Sequence, residues 1–73
     1  MILEPGLLLK VIKSHLVITV NVNIVGVDAD ELLLVVSAAS AHQGVALRLD
    51  TRELVHITSL STPFDLPIYV EAF

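Results

Sequence analysis

Hydrophobic residues recur at every second position of the segment 15–27, and this is the clearest pattern in the chain. One alternate set is wholly aliphatic and the other is mixed: Leu16, Ile18, Val20, Val22 and Ile24 against Val17, Thr19, Asn21, Asn23 and Val25. A period of two rich in β-branched residues predicts a β-strand with one buried face. Thirteen residues would span about 43 Å, whereas a compact chain of this size is about 29 Å across. We therefore expect the strand to bend, to break at a bulge or to project into a neighbour.

The middle of the chain allows two interpretations. Asp28 and Glu31 have the spacing of a helix capping box, so a helix at 29–42 is one alternative. The run 32–36 is apolar on all sides and has no amphipathic stripe, which is typical of a strand buried on both faces. We favour a strand over 31–37.

Two shorter segments also show strand patterns. Residues 45–49 alternate and predict a strand with Val45, Leu47 and Leu49 pointing inward, and residues 54–58 predict another strand. With the other strands, they predict a mainly β fold, either a small five-stranded barrel or a curved antiparallel meander. An α+β fold is the alternative if the middle segment is helical.

The ends of the chain complete a single small domain over residues 1–73. Residues 1–6 contain a Pro-Gly turn signal and predict an N-terminal arm. Two prolines punctuate the segment 59–67, which predicts a loop, and residues 68–73 predict a terminal strand at an edge or exchanged with a partner.

Composition changes the picture, because 55% of the 73 residues are hydrophobic. A globule of this size has space for roughly 15 to 20 fully buried side chains, and large exposed apolar patches are rare on soluble monomers. We therefore expect a self-associating structural module that forms a homo-oligomer through apolar strand faces. Leu33 and Val35 on the second face of the middle strand are the predicted contacts, with Tyr69 and Phe73 behind them.

Charge argues against several other classes of function. Four Lys and Arg residues against eight Asp and Glu residues give a net charge of −4, whereas nucleic-acid binders carry a basic face. The longest uncharged stretches, 14–27 and 32–47, are shorter than the about 20 apolar residues of a spanning helix. The chain has no cysteine, so no disulfide is possible. We expect an acidic, soluble, cytoplasmic protein with no membrane span.

No arrangement of polar residues points to a named chemistry. Asp28, Asp30 and Glu31 supply only a fragment of a calcium loop, and the three histidines have no regular spacing and no cysteine companions. No nucleophile motif and no glycine-rich phosphate loop is present. The sequence therefore predicts no catalytic residue, no metal and no cofactor, and it assigns no enzyme class.

One family resemblance bears on the alternatives. Residues 20–37, followed by Leu-Arg-Leu-Asp at 47–50 and Leu-Val-His-Ile at 54–57, resemble the strand order of Sm-like RNA-binding proteins. The resemblance implies a strongly bent five-stranded barrel that assembles into rings. The chain departs from both motifs of that family, because no asparagine follows Asp28 or Asp30 and the Arg-Gly pair is replaced by Arg-Leu. We claim no membership of the family.

The resemblance nevertheless defines an alternative function, a nucleic-acid-binding ring in which Arg48 and Arg52 are repeated around a pore. A further alternative is an accessory subunit of a larger protein complex, which would cover the apolar surplus equally well.

Overall fold

Seven β-strands build the described part of the chain, and every strand pairing in it is antiparallel. The computed structural model describes residues 2–58 and 69–73. The strands are β1 Leu8–Val11, β2 His15–Ile18, β3 Ile24–Val27, β4 Leu32–Ala38, β5 Gln43–Arg48, β6 Leu54–Thr58 and β7 Val70–Ala72. Five form one sheet in the order β6-β5-β4-β1-β7, and β2 and β3 form a separate hairpin. The sheets do not close into a barrel, so the mainly β prediction is confirmed in its meander form.

Strand β4 decides between the two interpretations of the middle segment. Residues 2–58 and 69–73 contain no helix, so the alternative helix at 29–42 is wrong and the strand is confirmed. Leu33 and Val35 are buried, whereas Leu32 and Leu34 are only partly buried. The strand therefore has one fully buried face rather than two.

The long strand predicted over 15–27 is instead a hairpin. The N–H of Val22 donates to the carbonyl of Thr19 (2.9 Å), and the N–H of Thr19 donates to the carbonyl of Asn23 (2.8 Å). Val22 has φ 64°, so the three-residue loop is a type I turn followed by a left-handed residue. A β-branched residue rarely adopts this conformation, and its presence here hides the turn from a pattern-based prediction.

The core lies between the hairpin and the larger sheet. Its ten fully buried hydrophobic residues among those described come from the N-terminal segment and strands β1 to β6: Leu3, Leu9, Val11, Val17, Val27, Leu33, Val35, Ala46, Val55 and Ile57. The radius of gyration is 10.6 Å. This matches the value of about 11 Å expected for a compact chain of this length.

Strand β5 presents the opposite set of residues from the predicted one. Ala46 and Arg48 are buried, Val45 and Leu47 are half-buried, and Leu49 lies beyond the strand, exposed. The predicted inward set of Val45, Leu47 and Leu49 is therefore wrong. Ala46 is completely buried, and Arg48 is buried because its charge is paired with two carboxylates.

Both ends of the described chain attach to the sheet. A turn at residues 4–7 places Gly6 at φ 91°, the position at which a Pro-Gly turn requires glycine. Leu3 is buried, and its N–H donates to the carbonyl of Ala41 (2.9 Å). Strand β7 falls within the predicted terminal strand, and the predicted loop 59–67 lies outside the described residues. Within 2–58 and 69–73 there is no helix of the length and hydrophobicity that crossing a membrane requires.

Candidate interaction surface

The four predicted contact residues lie in two different environments. Leu33 and Val35 are 0% and 1% exposed in the core of a single copy, so in this structure they have no surface to offer a second copy. Tyr69 and Phe73, at the two ends of β7, are 42% and 75% exposed. An apolar contact surface on a single copy would therefore use residues other than Leu33 and Val35.

The outward side of the β2–β3 hairpin is an exposed apolar strand face. We call it the hairpin face and define it by Leu16, Ile18, Ile24 and Gly26. Leu16 lies opposite Gly26, and Ile18 lies opposite Ile24. Leu16 and Ile24 are 57% and 65% exposed. On the inward side of the hairpin, valines at alternate positions pack into the core. The aliphatic set that looks most core-like in the sequence therefore faces outward.

The turn of the hairpin extends this apolar surface. Val20 and Val22 are 38% and 81% exposed. No charged residue occurs between Lys13 and Asp28. The hairpin face and its turn therefore form an uncharged surface on an otherwise acidic chain.

Gly26 leaves a gap in the hairpin face. A Cβ placed on Gly26 would meet nothing within 4 Å, so the space beside Leu16 is open. A depression of about 290 Å³ adjoins the face through Ile18, and Val45 and His56 also line it. Small-molecule pockets range from about 300 to 1,000 Å³, so this depression is at their lower limit.

The outer edge of β3 carries backbone groups without a strand partner among the described residues. In an antiparallel pair, hydrogen-bonded and non-hydrogen-bonded residue pairs alternate. Because Thr19 and Asn23 form a hydrogen-bonded pair, residues 17 and 25 form the next one. Ile24 and Gly26 therefore direct their N–H and C=O groups away from β2. This edge borders the hairpin face directly.

Arg48 lies in a different site, a buried cluster of charges. Its guanidinium donates to both carboxylate oxygens of Glu31 (Nε to Oε1 2.6 Å, Nη2 to Oε2 3.1 Å) and to Glu53 (Nη1 to Oε1 2.6 Å). The side chains of Arg48 and Glu31 are only 9% and 6% exposed, and that of Glu53 is 40% exposed. A second bond holds Glu31, because its Oε2 accepts the N–H of Asp28 (3.0 Å).

The pKa shifts in this cluster follow from its geometry. Burial acts to raise the pKa of Glu31, but the hydrogen bonds from Arg48 and from the N–H of Asp28, with the charge of Arg48, together hold that pKa below its usual value. The hydrogen bond to Glu31 raises the pKa of Arg48 against the effect of burial, and the charges of Glu31 and Glu53 raise it further. Glu31 and Arg48 are therefore both ionised at neutral pH.

The two arginines of the alternative function differ in availability. Arg48 is committed to two carboxylates, whereas Arg52 is exposed in the turn before β6 at φ 64°. The backbone N–H of Arg52 donates to the carbonyl of Arg48 (2.7 Å), so the two residues are held together by main chain. A phosphate group could meet the Arg52 side chain directly, but it would have to displace Glu31 or Glu53 to reach Arg48.

The described residues contain no group of three or more His, Cys, Asp or Glu side chains that could hold a metal ion. Asp28 and Glu31, which the sequence marks as a capping pair, cap a turn rather than a helix. No family model, curated protein or solved structure matches the chain.

Sequence reasoning missed the hairpin face because it treated 15–27 as one strand. Two asparagines flank Val22, and asparagine is the non-glycine residue that most readily adopts left-handed backbone conformations in turns. They were the signal that could have located the turn. Once the turn is placed, the two alternating sets remain, and only the packing shows which set faces inward.

Proposed function

We propose that this chain is a self-associating structural module and that a second copy packs against the hairpin face. The observation that supports the proposal is the exposure of Leu16 and Ile24, two large aliphatic side chains that are more than half exposed on one strand pair. Contiguous exposed apolar surface of this kind marks interaction sites in soluble proteins.

Charge limits where a second copy can bind. Each copy carries a net charge of −4, so two copies repel each other over most of their surfaces. The hairpin face lies in the uncharged stretch 14–27, so contact there keeps the carboxylates of the two copies apart. A twofold contact uses the same patch on both subunits and requires that patch to fit itself.

The shape of the hairpin face supplies such a fit. Gly26 provides a gap, and Ile24 beside it on the same strand provides a protruding side chain. In a twofold contact, Ile24 of each copy enters the gap over Gly26 of the other. Fully burying an aliphatic side chain contributes about 1.5 to 3 kcal/mol, and Leu16 and Ile24 have more than half of that burial still to gain.

Sedimentation velocity over a dilution series tests the proposal. We expect the native mass of the wild-type chain to double between about 1 µM and about 1 mM, the range in which standard interfaces of modest energy form. Ile24→Lys places a charge in the contact and should shift the midpoint of association at least about tenfold, equivalent to about 1.4 kcal/mol.

Val36→Lys is the matched control. Val36 is a β-branched residue of β4, 42% exposed and outside the hairpin face, so the same change of charge there should leave the midpoint unaltered. Phe73→Lys examines the contact predicted at β7. A wild-type chain that remains a monomer throughout would refute self-association. Dissociation by Phe73→Lys but not by Ile24→Lys would refute the hairpin face.

The nucleic-acid ring stays a prediction. Its supporting residue on the surface is Arg52, and Arg48 contributes only if both of its ion pairs open. Opening them would leave buried charges without a partner, which strongly destabilises the folded state.

A further inference from the structure

His15 joins the hairpin to the last strand of the larger sheet. It is the first residue of β2, and Tyr69 immediately precedes β7. The two strands share no ladder pairing. The N–H of Tyr69 nevertheless donates to Nε2 of His15 (3.3 Å), and the two rings meet edge to face at 5.2 Å.

The partners of the imidazole determine its tautomer. Nδ1 of His15 is 2.7 Å from the carbonyl oxygen of Lys13. A carbonyl oxygen only accepts hydrogen bonds, so Nδ1 carries the hydrogen. Nε2 then presents its lone pair to the N–H of Tyr69, and the arrangement requires a neutral ring.

We infer that His15 is a pH-sensitive latch, which holds the entry of β7 against the hairpin when the imidazole is neutral and releases it when Nε2 is protonated. Protonation turns Nε2 into a donor that faces another donor, the N–H of Tyr69. The hydrogen bond is then lost, whereas the bond to Lys13 is kept.

Among the described residues, the groups around the imidazole include a second cation and no contacting carboxylate. The connection before β2 contributes Lys13, whose Nζ lies 4.1 Å from the centre of the Tyr69 ring, so a second cation joins the cluster. Across the hairpin stands the apolar Val27. On β7, Glu71 lies opposite Lys10, and Asp28 follows the last residue of β3. No carboxylate among the described residues forms a hydrogen bond or an ion pair with the imidazole.

The release is local. The carbonyl of Tyr69 still accepts the N–H of Ile12 (2.8 Å), so β7 stays paired with β1 while its first residue separates from β2. What opens is the junction between the end of the five-stranded sheet and the base of the hairpin. This junction is separate from the hairpin face, so the latch does not depend on self-association.

Two-dimensional NMR of the dilute chain between about pH 8 and about pH 5 tests the latch, because imidazoles gain their proton in this range. We expect the amide proton of Tyr69 to move upfield with the same midpoint as the ring protons of His15. Its protection against exchange should fall by a factor of roughly 2 to 10, the ratio that corresponds to one net hydrogen bond.

Two variants make the result decisive. His15→Phe keeps a ring beside Tyr69 but removes the acceptor, so the Tyr69 amide should be weakly protected at every pH and should not titrate. His56→Gln removes an exposed histidine of β6. In this variant the Tyr69 amide proton should shift with pH as it does in the wild type. An amide of Tyr69 that stays constant while the His15 ring titrates would overturn the inference, and so would wild-type titration in His15→Phe.

Discussion

At the scale of single residues, one guanidinium ties together three strand ends. Glu31 precedes β4, Arg48 ends β5 and Glu53 precedes β6, and the two carboxylates meet on the same arginine. A buried ion pair contributes little net stability relative to apolar residues, but removing one partner leaves a charge buried without compensation. The cluster therefore specifies the register of these strand ends more than it adds to the stability of the core.

The lowered pKa of Glu31 predicts a specific dependence of stability on acid. A carboxylate whose pKa is lower in the folded state contributes stability that is fully present above its ordinary pKa and is lost as the pH falls through the lowered value. We expect Glu31→Gln to cost about 1.5 to 3 kcal/mol at pH 7, as a lost charged hydrogen bond does. The difference between wild type and Glu31→Gln in urea unfolding should shrink as the pH falls below about 4.

Glu53→Gln is the control for this experiment. Its side chain is 40% exposed, so water can replace much of what the carboxylate supplies, and the loss at pH 7 should be smaller. If the wild-type and Glu31→Gln curves stay parallel from neutral to acidic pH, the ionised Glu31 contributes nothing and this account of the cluster is wrong.

At the scale of elements, the hairpin carries a local conflict between sequence and backbone. Val22 occupies the left-handed position of the turn, where a β-branched side chain is strained by about 1 to 3 kcal/mol. The neighbouring groups hold it there, since Thr19 bonds to Val22 and to Asn23, whose N–H also reaches the Thr19 hydroxyl (3.1 Å). The turn is thus fixed by its flanks and not by the residue at its tip.

Relieving this strain should stabilise the chain. Val22→Asn suits the left-handed conformation and loses no buried surface, because Val22 is 81% exposed. A gain of about 1 kcal/mol raises the melting temperature by roughly 4 to 8 °C in a domain of this size. Val22→Thr keeps the β-branch while adding the same polarity, so it should bring no gain. Equal melting temperatures for the two variants, measured at concentrations too low for association, would contradict the strain.

The elements show why some of the fold could be predicted from sequence. The strand Leu54–Thr58 has the predicted bounds, and β4 could be predicted because its apolar run has no helical stripe. The hairpin could not be predicted from the alternation alone, because the β-branched Val22 continues the strand pattern through the turn and only Asn21 and Asn23 mark it. The inward set of β5 could not either, because the partners that allow Arg48 to be buried lie 17 and 5 positions away in the chain.

The same difficulty affects the candidate surface. Alternation shows that a strand has two faces, but it does not show which face the rest of the chain will cover. In β2 and β3 the aliphatic set is the natural choice for the core, and the structure instead buries Val17 and Val27. Leu33 and Val35 show the converse, since they were predicted to lie on a contact surface and are in the core.

At the scale of the whole molecule, the described part of the chain keeps many apolar side chains on its surface. Among the described residues, ten hydrophobic residues are fully buried and eleven large hydrophobic residues are exposed. If these exposed residues mediate the proposed self-association, the sign of its salt dependence distinguishes it from binding of a nucleic acid.

Two copies that meet through the hairpin face bring together two chains of net charge −4, so repulsion opposes an apolar contact. Salt screens that repulsion, because the Debye length falls from about 30 Å at 0.01 M to about 10 Å at 0.1 M. We expect the dissociation constant, measured by sedimentation, to fall several-fold as sodium chloride rises over this range. Binding of an oligonucleotide by arginines would weaken with salt, since condensed counterions are released. Self-association that weakens with salt would mean that ion pairs between copies hold the assembly, and the uncharged hairpin face could not be its contact.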